Sequence, residues 1–577
     1  MWHTESNSKN HNFTMKKLFA SVLMMSAVFA LFAQPAKEKG LSAITETAIK
    51  GQLNFLASDW TEGRGVGTKG AYLAADYIAS VFEIYGIEPF GDMERTRPTR
   101  PERMKGVRPE VYRSYYQNFG LLQYSSGEEQ YFTLISKENN SESTIEFKHE
   151  TDFYVRTGTV GLSAEAPLVF AGYGFHDDDE KYNDLKKLNL EGKIAVVLEG
   201  YPGHKDTSSV GYEKFKPKGR YARYYMERDK AKRLKDAGAI AIIHVTPETD
   251  MSVMWAKNIV YPVKGDYYEA DERLTSYYDY KMTLPGDTLE MDLPVFMVTP
   301  RVANEIINGT PINFKEFEEK VAAEMEPDSQ ELEGKFVAFK TTVNSEMVKA
   351  RNVLGYIEGK KKDEFIVVGG HYDHVGKWNG WIWNGADDNA SGTVGVMTIA
   401  KAFKATGEKP EKSIIFAAWS GEEKGLWGSK YFVQQAEKND LNVMLNLNYD
   451  MIGRDTEKDT LKNQASMVYT KANSKIEEIT KKNLEDYDIN LDLRYRPSQR
   501  PRGGSDHAPF AQVDIPIFYF MAAMHPDYHL PSDELSKINW EKMQNIIRIG
   551  FLNTWDFANS DAFLEVEEKE EGLAEKE

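Results

Sequence analysis

The sequence predicts an α/β fold: a mostly parallel, mixed β-sheet with helices on both faces, plus a small inserted β/α domain. From about residue 335 onward, short apolar runs alternate with helical segments. Runs that are apolar throughout are typical of strands covered on both faces, as in parallel sheets. Strand–helix alternation of this kind predicts a sheet between two layers of helices. The predicted strands are FIVVGG (365–370), SIIFAAW (413–419), VMLNLNYDMIG (443–453) and IPIFYFM (515–521).

A length of 577 residues exceeds what one hydrophobic core usually covers, so we expect more than one domain. Between about 160 and 300 the pattern changes to short apolar strands such as KIAVVLEG and AIAIIHV, which indicates a separate small module. The predicted division is an upstream extension and signal peptide over 1–36, the first part of the larger domain over 37–159, the insert over 160–305, the strand–helix part of the larger domain over 306–560, and an acidic tail over 561–577.

The segment that starts at Met15 has the pattern of a secretory signal peptide. Two lysines are followed by the apolar run Leu18–Phe32 and by alanines suited to cleavage, up to Ala36. The apolar run is too short for a comfortable membrane span. We therefore expect an exported protein, periplasmic or secreted, with no membrane anchor.

Composition excludes several classes of function. The formal net charge is −18, from 71 basic and 89 acidic residues, which argues against a nucleic-acid partner because phosphate binding requires a basic surface. The chain has no cysteine, so disulfides, thiolate metal ligands, a thiol nucleophile and a cysteine-linked lipid anchor are all excluded. Any metal ion must be held by His, Asp and Glu.

Polar clusters follow the predicted strands at their carboxyl ends, where the sites of open α/β sheets form. Imidazole and carboxylate groups are donors that zinc accepts, and two metal ions can share one carboxylate. Several such clusters at one edge of a sheet therefore predict a metal centre. They are His371–His374, Asp387 with Asp388, Glu422 with Glu423, Asp450, and the loop with His525 and His529.

The motifs GGHYDHVG, NGADDNASG, SGEEKGLWGS, NYDMIG and SDHAPF, followed by His529 in YHLPSDE, resemble the M28 family of zinc peptidases. The N-terminal stretch LASDWTEGRGVGTKGAYLAADYIASVF resembles the opening segment of the same family, and the insert resembles a protease-associated domain. The resemblance covers nearly the whole chain after the signal peptide. It implies a zinc-peptidase fold and two zinc ions per chain.

The resemblance also implies a role for each motif residue. His371 and Asp450 would bind one zinc ion, Glu423 and His529 the other, and Asp387 would bridge both, with a cis peptide between Asp387 and Asp388. Glu422 would be the general base, and Asp373 would orient the His371 imidazole.

Three other histidines are less defined. His507, in GGSDHAPF, matches a family position near the substrate and is a candidate for substrate binding. His374 is either a wall residue or a partner of a ligand, and we favour the wall because the ligand set is already complete. His525 lies four residues before His529, but Pro526 indicates a loop, so we do not assign it as a ligand.

The predicted function is an aminopeptidase that acts on peptide substrates. Three alternatives remain: a glutaminyl cyclase of the same family, which uses one zinc ion; a carboxypeptidase relative; and a receptor-like binding protein without activity. The complete ligand set and the presence of Glu422 favour the two-zinc hydrolase. The sequence leaves the preferred residue, the natural substrate and the oligomeric state open.

Overall fold

The computed structural model describes residues 35–138, 141–149, 151–156, 158, 160–217, 222–245, 262–263, 266–267, 280–287, 293–378, 381–499, 501 and 503–565. The predicted signal peptide up to residue 34 and the tail from 566 lie outside the described residues. Within these ranges, no helix combines the length and the apolar character that a membrane span requires.

The strands of the described residues belong to two large sheets and four small ribbons. In chain order they are β1 (Glu88–Pro89), β2 (Met93–Arg95), β3 (Val111–Arg113), β4 (Tyr116–Ser126), β5 (Tyr131–Glu138), β6 (Ser141–Phe147), β7 (Phe153–Arg156), β8 (Ser163–Phe170), β9 (His176–Asp177), β10 (Tyr182–Asn183), β11 (Ile194–Leu198), β12 (Ala241–Val245), β13 (Pro262–Val263), β14 (Asp266–Tyr267), β15 (Tyr280–Thr283), β16 (Val295–Val298), β17 (Gln330–Lys340), β18 (Val343–Ile357), β19 (Lys361–His371), β20 (Gly376–Trp378), β21 (Trp381–Trp383), β22 (Lys412–Trp419), β23 (Asn442–Tyr449), β24 (Gln464–Thr470), β25 (Asp492–Ser498) and β26 (Ile517–Met521).

The α-helices of the same residues are, in chain order, α1 (Ala36–Ser42), α2 (Glu46–Leu56), α3 (Lys69–Ile84), α4 (Arg100–Met104), α5 (Val210–Phe215), α6 (Ala222–Asp236), α7 (Pro300–Ile307), α8 (Phe314–Glu324), α9 (Gly392–Thr406), α10 (Trp427–Lys438), α11 (Lys475–Asp486), α12 (Ala508–Gln512) and α13 (Trp540–Asn559). A π-helical segment, Ala386–Ser391, leads directly into α9.

The larger sheet has the strand order β15-β4-β18-β22-β19-β23-β26-β24-β25, with β1 alongside β18. Its centre is parallel: β22, β19, β23 and β26 run in the same direction. Antiparallel pairings flank this centre on both sides. The predicted α/β fold with a mixed sheet is confirmed, and its parallel part consists of the strands that the apolar runs predict.

Helices cover both faces of this sheet, as predicted. Successive residues of a strand point to opposite faces, and on β19 Ile366 and Val368 face one core cluster while Phe365 and Val367 face the other. The first cluster is closed by α2, α3, α9 and α13, and the second by α10 and α12. The central strands of the sheet are therefore buried on both sides.

The second sheet has the order β6-β5-β17-β8-β11-β12-β16-β7. Its central strands β8, β11, β12 and β16 are parallel and come from the predicted insert. The outer strands come from residues 131–156 and 330–340, so this sheet extends beyond the predicted insert of 160–305 at both ends. The reason is that β17 pairs with both β5 and β8, which joins sequence from either side of the insert.

One strand from within the predicted insert belongs to the larger sheet. Strand β15 pairs antiparallel with β4, with Tyr280 opposite Ser125. Met282 and Leu284 are buried there against Leu121 and other apolar residues of the larger sheet. The insert thus supplies an edge strand to the sheet that carries the candidate metal-binding motifs of the larger domain.

Candidate metal centre

The candidate residues lie at the carboxyl ends of the four central parallel strands. His371 ends β19, Glu422 and Glu423 follow β22, Asp450 follows β23, and the loop with His529 follows β26. Adjacent parallel strands end at one edge of a sheet, which brings these loops together. The structure therefore assembles most of the predicted set in one place.

A first cluster surrounds the imidazole of His371. Its Nε2 lies 3.5 Å from Asp450 Oδ1, 3.6 Å from Asp388 Oδ1 and 3.9 Å from Glu422 Oε2. Burial alone would lower the pKa of His371, but the surrounding carboxylates outweigh it and raise that pKa well above its usual value. His371, Glu422 and Asp450 form a group that could hold a metal ion.

A second cluster surrounds the carboxylate of Glu423. Glu423 Oε2 lies 3.0 Å from His529 Nε2, and Oε1 lies 2.7 Å from His374 Nδ1. His529 Nε2 is also 3.1 Å from Asp388 Oδ2. His374, Asp388 and Glu423 form a second group with the spacing of metal ligands.

Asp388 is the residue that reaches both clusters: Oδ1 faces His371, and Oδ2 faces His529. This corrects the prediction for Asp387. The Asp387 carboxylate turns away, accepts a hydrogen bond from the Gly453 amide (2.6 Å) and lies 3.3 Å from His525 Nε2. The cis peptide also lies one residue later than predicted, between Asp388 and Asn389.

Asp533 holds the backbone that carries the two aspartates. Its Oδ2 accepts hydrogen bonds from the amides of both Asp387 and Asp388, each at 3.0 Å. Arg454 donates to the other oxygen of Asp533 at 3.4 Å. Because Asp533 is fully buried, these contacts fix the position of the π-helical segment at the cluster edge.

Asp373 contacts the first cluster through its backbone and its side chain. Its carbonyl oxygen lies 3.1 Å from His371 Nδ1, while its carboxylate Oδ1 is 3.9 Å from the same nitrogen. The carboxylate accepts a hydrogen bond from the Glu422 amide at 3.2 Å. Burial is the main reason that the pKa of Asp373 rises to about 6. Asp373 therefore links the His371 ring to the loop that carries Glu422.

Arg64 joins the N-terminal segment to the loops of the site. It is fully buried and donates to the carbonyl oxygens of Tyr372 (2.6 Å), Asn384 (2.7 Å), Gly385 (2.9 Å) and Leu56. Burial lowers the pKa of Arg64 to about 10. These four acceptors lie on three separate segments of the chain. One side chain therefore fixes the loop that follows His371 and the loop that precedes Asp388.

The two adjacent glutamates have opposite pKa shifts. Burial, with the nearby Glu423 and Asp450 carboxylates adding to it, raises the pKa of Glu422 well above its usual value. Burial also acts on Glu423, but His529 and His374 outweigh it and hold the Glu423 pKa well below its usual value. Divergent pKa values of this kind separate a proton acceptor from a permanently charged group.

The remaining histidines differ from one another. His374 is buried in the second cluster, so it is more than a wall residue. His525 contacts Asp387 and belongs to neither cluster. His507 is buried and stacks on Tyr519 with ring centroids 4.6 Å apart; burial lowers its pKa to about 3. The structure does not bring His507 into either cluster.

Tyr528 is a site residue that the motifs did not single out. Its ring stacks on His529 at 3.8 Å and remains 39% exposed. Burial of its hydroxyl and the charges of Asp388, Glu423 and other cluster carboxylates raise the Tyr528 pKa far above its usual value. The phenol is therefore a neutral hydrogen-bond donor at the mouth of the site. Its position directly before His529 was the signal available in the sequence.

The donor set fits a pair of divalent cations. The buried Asp388 and Asp450 carboxylates lie close to those of the half-buried Glu422 and Glu423, and like charges so close together require compensating positive charge. The donor atoms are nitrogen and oxygen, and their separations of 3.0 to 3.9 Å match the spacing of ligand atoms around one small ion. For zinc, with ligands at about 2.0 to 2.2 Å in tetrahedral geometry, that spacing is about 3.3 Å.

Curated relatives share part of the chain. Aminopeptidase YwaD of Bacillus subtilis is 29% identical over 210 residues, which are 34% of this chain and 42% of the relative. The glutamate carboxypeptidase 2 homolog of Caenorhabditis elegans is 26% identical over 412 residues, covering 62% of this chain and 48% of the relative. Leucine aminopeptidase 2 of Arthroderma otae is 26% identical over 330 residues, covering 51% of this chain and 64% of the relative. The chain thus spans about half the length of these relatives.

A solved structure shares the fold over almost the whole length. The aminopeptidase from Aneurinibacillus sp. strain AM-1 has a TM-score of 0.54 at 18% identity, covering 92% of this chain and 98% of that one. Residues 352–552 match the model of peptidase family M28, and they include His371, Asp388, Glu422, Glu423 and Asp450. Over these residues the chain is similar to peptidase family M28.

Proposed function

We propose that the protein is an exported two-zinc aminopeptidase, which removes residues from the amino ends of peptides. The observation that carries this proposal is the position of Asp388, whose two oxygens face two separate clusters of histidine and carboxylate groups. A carboxylate shared in this way suits a pair of metal ions.

His371, Asp450 and Asp388 would hold one ion. Glu423, His529 and Asp388 would hold the other, with His374 fixing the Glu423 carboxylate. Metal ions bound there would polarise the scissile carbonyl and make a nearby water more acidic.

Glu422 is the proton carrier in this proposal. Its Oε2 lies 3.9 Å from His371 Nε2, at the edge of the first cluster. A raised pKa brings a carboxylate closer to the working pH, where it can accept a proton from water and later donate it to the leaving amine. The hydrogen bond from the Glu422 amide to Asp373 fixes the loop that presents it.

Tyr528 supplies a hydrogen-bond donor beside His529. The neighbouring carboxylates keep its phenol protonated, and its ring is fixed against His529. A protonated phenol at the mouth of the site can stabilise the negative charge that develops on the carbonyl oxygen during attack.

The names of the relatives support action at the amino end, since two of those above are aminopeptidases. One relative is a carboxypeptidase homolog, so the test also includes cleavage at the carboxyl end of the peptide as an outcome.

The test is a mass-spectrometric time course with zinc-loaded protein and a peptide mixture, half of it N-acetylated. We expect stepwise loss of residues from free amino ends, with the acetylated copies intact. Trimming of acetylated peptides from the carboxyl end would indicate a carboxypeptidase. Loss of ammonia from amino-terminal glutamine would indicate a cyclase, and an unchanged mixture a binding protein. The Glu422→Gln variant is the control for contaminating peptidases.

A further inference from the structure

The insert reaches the metal centre through β15. Tyr280 begins this strand, and the Lys424 ammonium lies 3.7 Å from the centroid of its ring. A few residues later, Asp287 forms an ion pair with Lys430 at 2.5 Å. Lys424 directly follows the Glu422–Glu423 pair, and Lys430 lies in α10, the next helix. The insert therefore contacts the glutamate-bearing loop at Lys424 and the helix after it at Lys430.

Lys424 is next to Glu423 in the chain and stands beside the metal centre. Burial lowers the pKa of Lys424 to about 8, and the Glu423 and Asp373 carboxylates counteract this lowering. After burial, the same two carboxylates also contribute to the raised pKa of the Tyr280 hydroxyl. The Lys424 and Tyr280 side chains are both half-buried. Arg64, another cation near these carboxylates, is fully buried and donates to four carbonyl groups. Lys424 is thus a half-buried cation next to the candidate metal ligand Glu423.

The sign of this charge defines what can bind beside it. A substrate ammonium would be repelled by Lys424, so the amino end of the peptide has to lie elsewhere in the site. A carboxylate would be attracted and would accept a charge-assisted hydrogen bond. We infer that Lys424, held by the Tyr280 ring, forms a subsite for a substrate carboxylate on the leaving-group side of the scissile bond. This inference rests on the proposed aminopeptidase function.

The carboxylate has two possible sources: the carboxyl terminus of a dipeptide, or an acidic side chain in the second residue. Two matched pairs of substrates separate them, X-Ala against X-Ala-amide and X-Glu-amide against X-Gln-amide, where X is a residue that the wild type removes. KM and kcat are measured for each. Loss of one charge-assisted hydrogen bond corresponds to about a tenfold to hundredfold change in kcat/KM.

We expect wild type to prefer the anionic member of at least one pair, through a lower KM. Lys424→Met should abolish that preference, measured as the ratio of the two kcat/KM values within a pair, while Lys424→Arg should keep part of it. Tyr280→Leu should weaken the preference and Tyr280→Phe should retain it, because the ring holds the ammonium. Lys281→Met, at an exposed position on the same strand, is the matched control and should behave as wild type.

Two results would overturn the inference alone: no preference in wild type for either anionic peptide, or an equal loss for acids and amides in Lys424→Met. In both cases peptides are still cut, so the proposed function stands. If zinc-loaded wild type cuts none of the peptides, the proposed function fails and the subsite fails with it.

Discussion

Glu422 and Glu423 are adjacent in the chain, but their carboxylates face different histidines. Glu422 Oε2 lies 3.9 Å from His371 Nε2, and Glu423 Oε2 lies 3.0 Å from His529 Nε2. The turn that begins at Gly421, with φ of 83°, allows this divergence. The arrangement gives one glutamate to proton transfer and the other to metal binding.

Replacing Glu422 by Gln should remove the proton acceptor and leave the metal ligands in place. We expect kcat to fall by about 10²- to 10⁴-fold with bound zinc unchanged. Steady-state kinetics and metal analysis of the same preparation provide the check. Glu437→Gln, at an exposed position on α10, is the matched control. Near-normal turnover in Glu422→Gln would show that another group accepts the proton.

The pH profile should show an acid limb that belongs to Glu422. A base works only when it is deprotonated, and the Glu422 pKa is raised, so activity should fall as pH drops through a value well above the ordinary glutamate range of about 4.3. The measurement is kcat/KM against pH at saturating zinc. The residual activity of Glu422→Gln should lack this limb; the same limb in the variant would assign it to a different group.

Arg64→Lys should destabilise the protein and reduce activity together. Lysine lacks the fork of donors that reaches Tyr372, Asn384 and Gly385 at once, so buried carbonyl groups lose their partners. We expect a loss of about 3 kcal/mol or more in the free energy of unfolding, measured with urea. Arg103→Lys, on the exposed helix α4, is the control and should be neutral. A neutral Arg64→Lys would show that these carbonyls find other donors.

His507 should make the fold sensitive to acid. Its pKa in the folded protein is about 3, whereas an unfolded histidine titrates near 6.5, so only the unfolded chain binds a proton between these values. Stability is therefore lost as pH falls below about 6.5, by about 2 kcal/mol at pH 5.

The variant His507→Phe keeps the ring that stacks on Tyr519 but cannot bind a proton. Urea unfolding at pH 7 and pH 5 should show a smaller loss of stability in this variant than in wild type. An equal loss in both proteins would mean that His507 is accessible to protons in the folded state.

Strand–helix alternation was sufficient to predict the central sheet. The runs that contain Val368, Phe416, Leu447 and Phe518 form neighbouring strands, and these four residues share one row across the sheet. The extent of the second sheet could not be predicted in this way. It depends on β17 pairing with β5 and β8, and pairing between segments some 200 residues apart leaves no local periodicity.

The edge of the sheet at which the candidate site lies was predicted from the sequence. His371, Glu423 and Asp450 were predicted to lie at one edge of the sheet, because parallel strands end at the same edge. The sequence does not show whether Asp387 or Asp388 faces the clusters. This depends on the π-helical segment and on the hydrogen bonds from both backbone amides to Asp533. Sequence reasoning missed Tyr528 because no periodic pattern marks a loop residue.

The shared position of Asp388 is the central claim, and a zinc count tests it most directly. Wild type, Asp388→Asn and Asp387→Asn are loaded with zinc, freed of excess metal and analysed by mass spectrometry of the metal. We expect about two zinc ions per chain in wild type, since the fold offers two clusters. Asp388→Asn should lose zinc from both clusters, and Asp387→Asn should keep it. One ion per wild-type chain, or a greater loss in Asp387→Asn than in Asp388→Asn, would contradict the account.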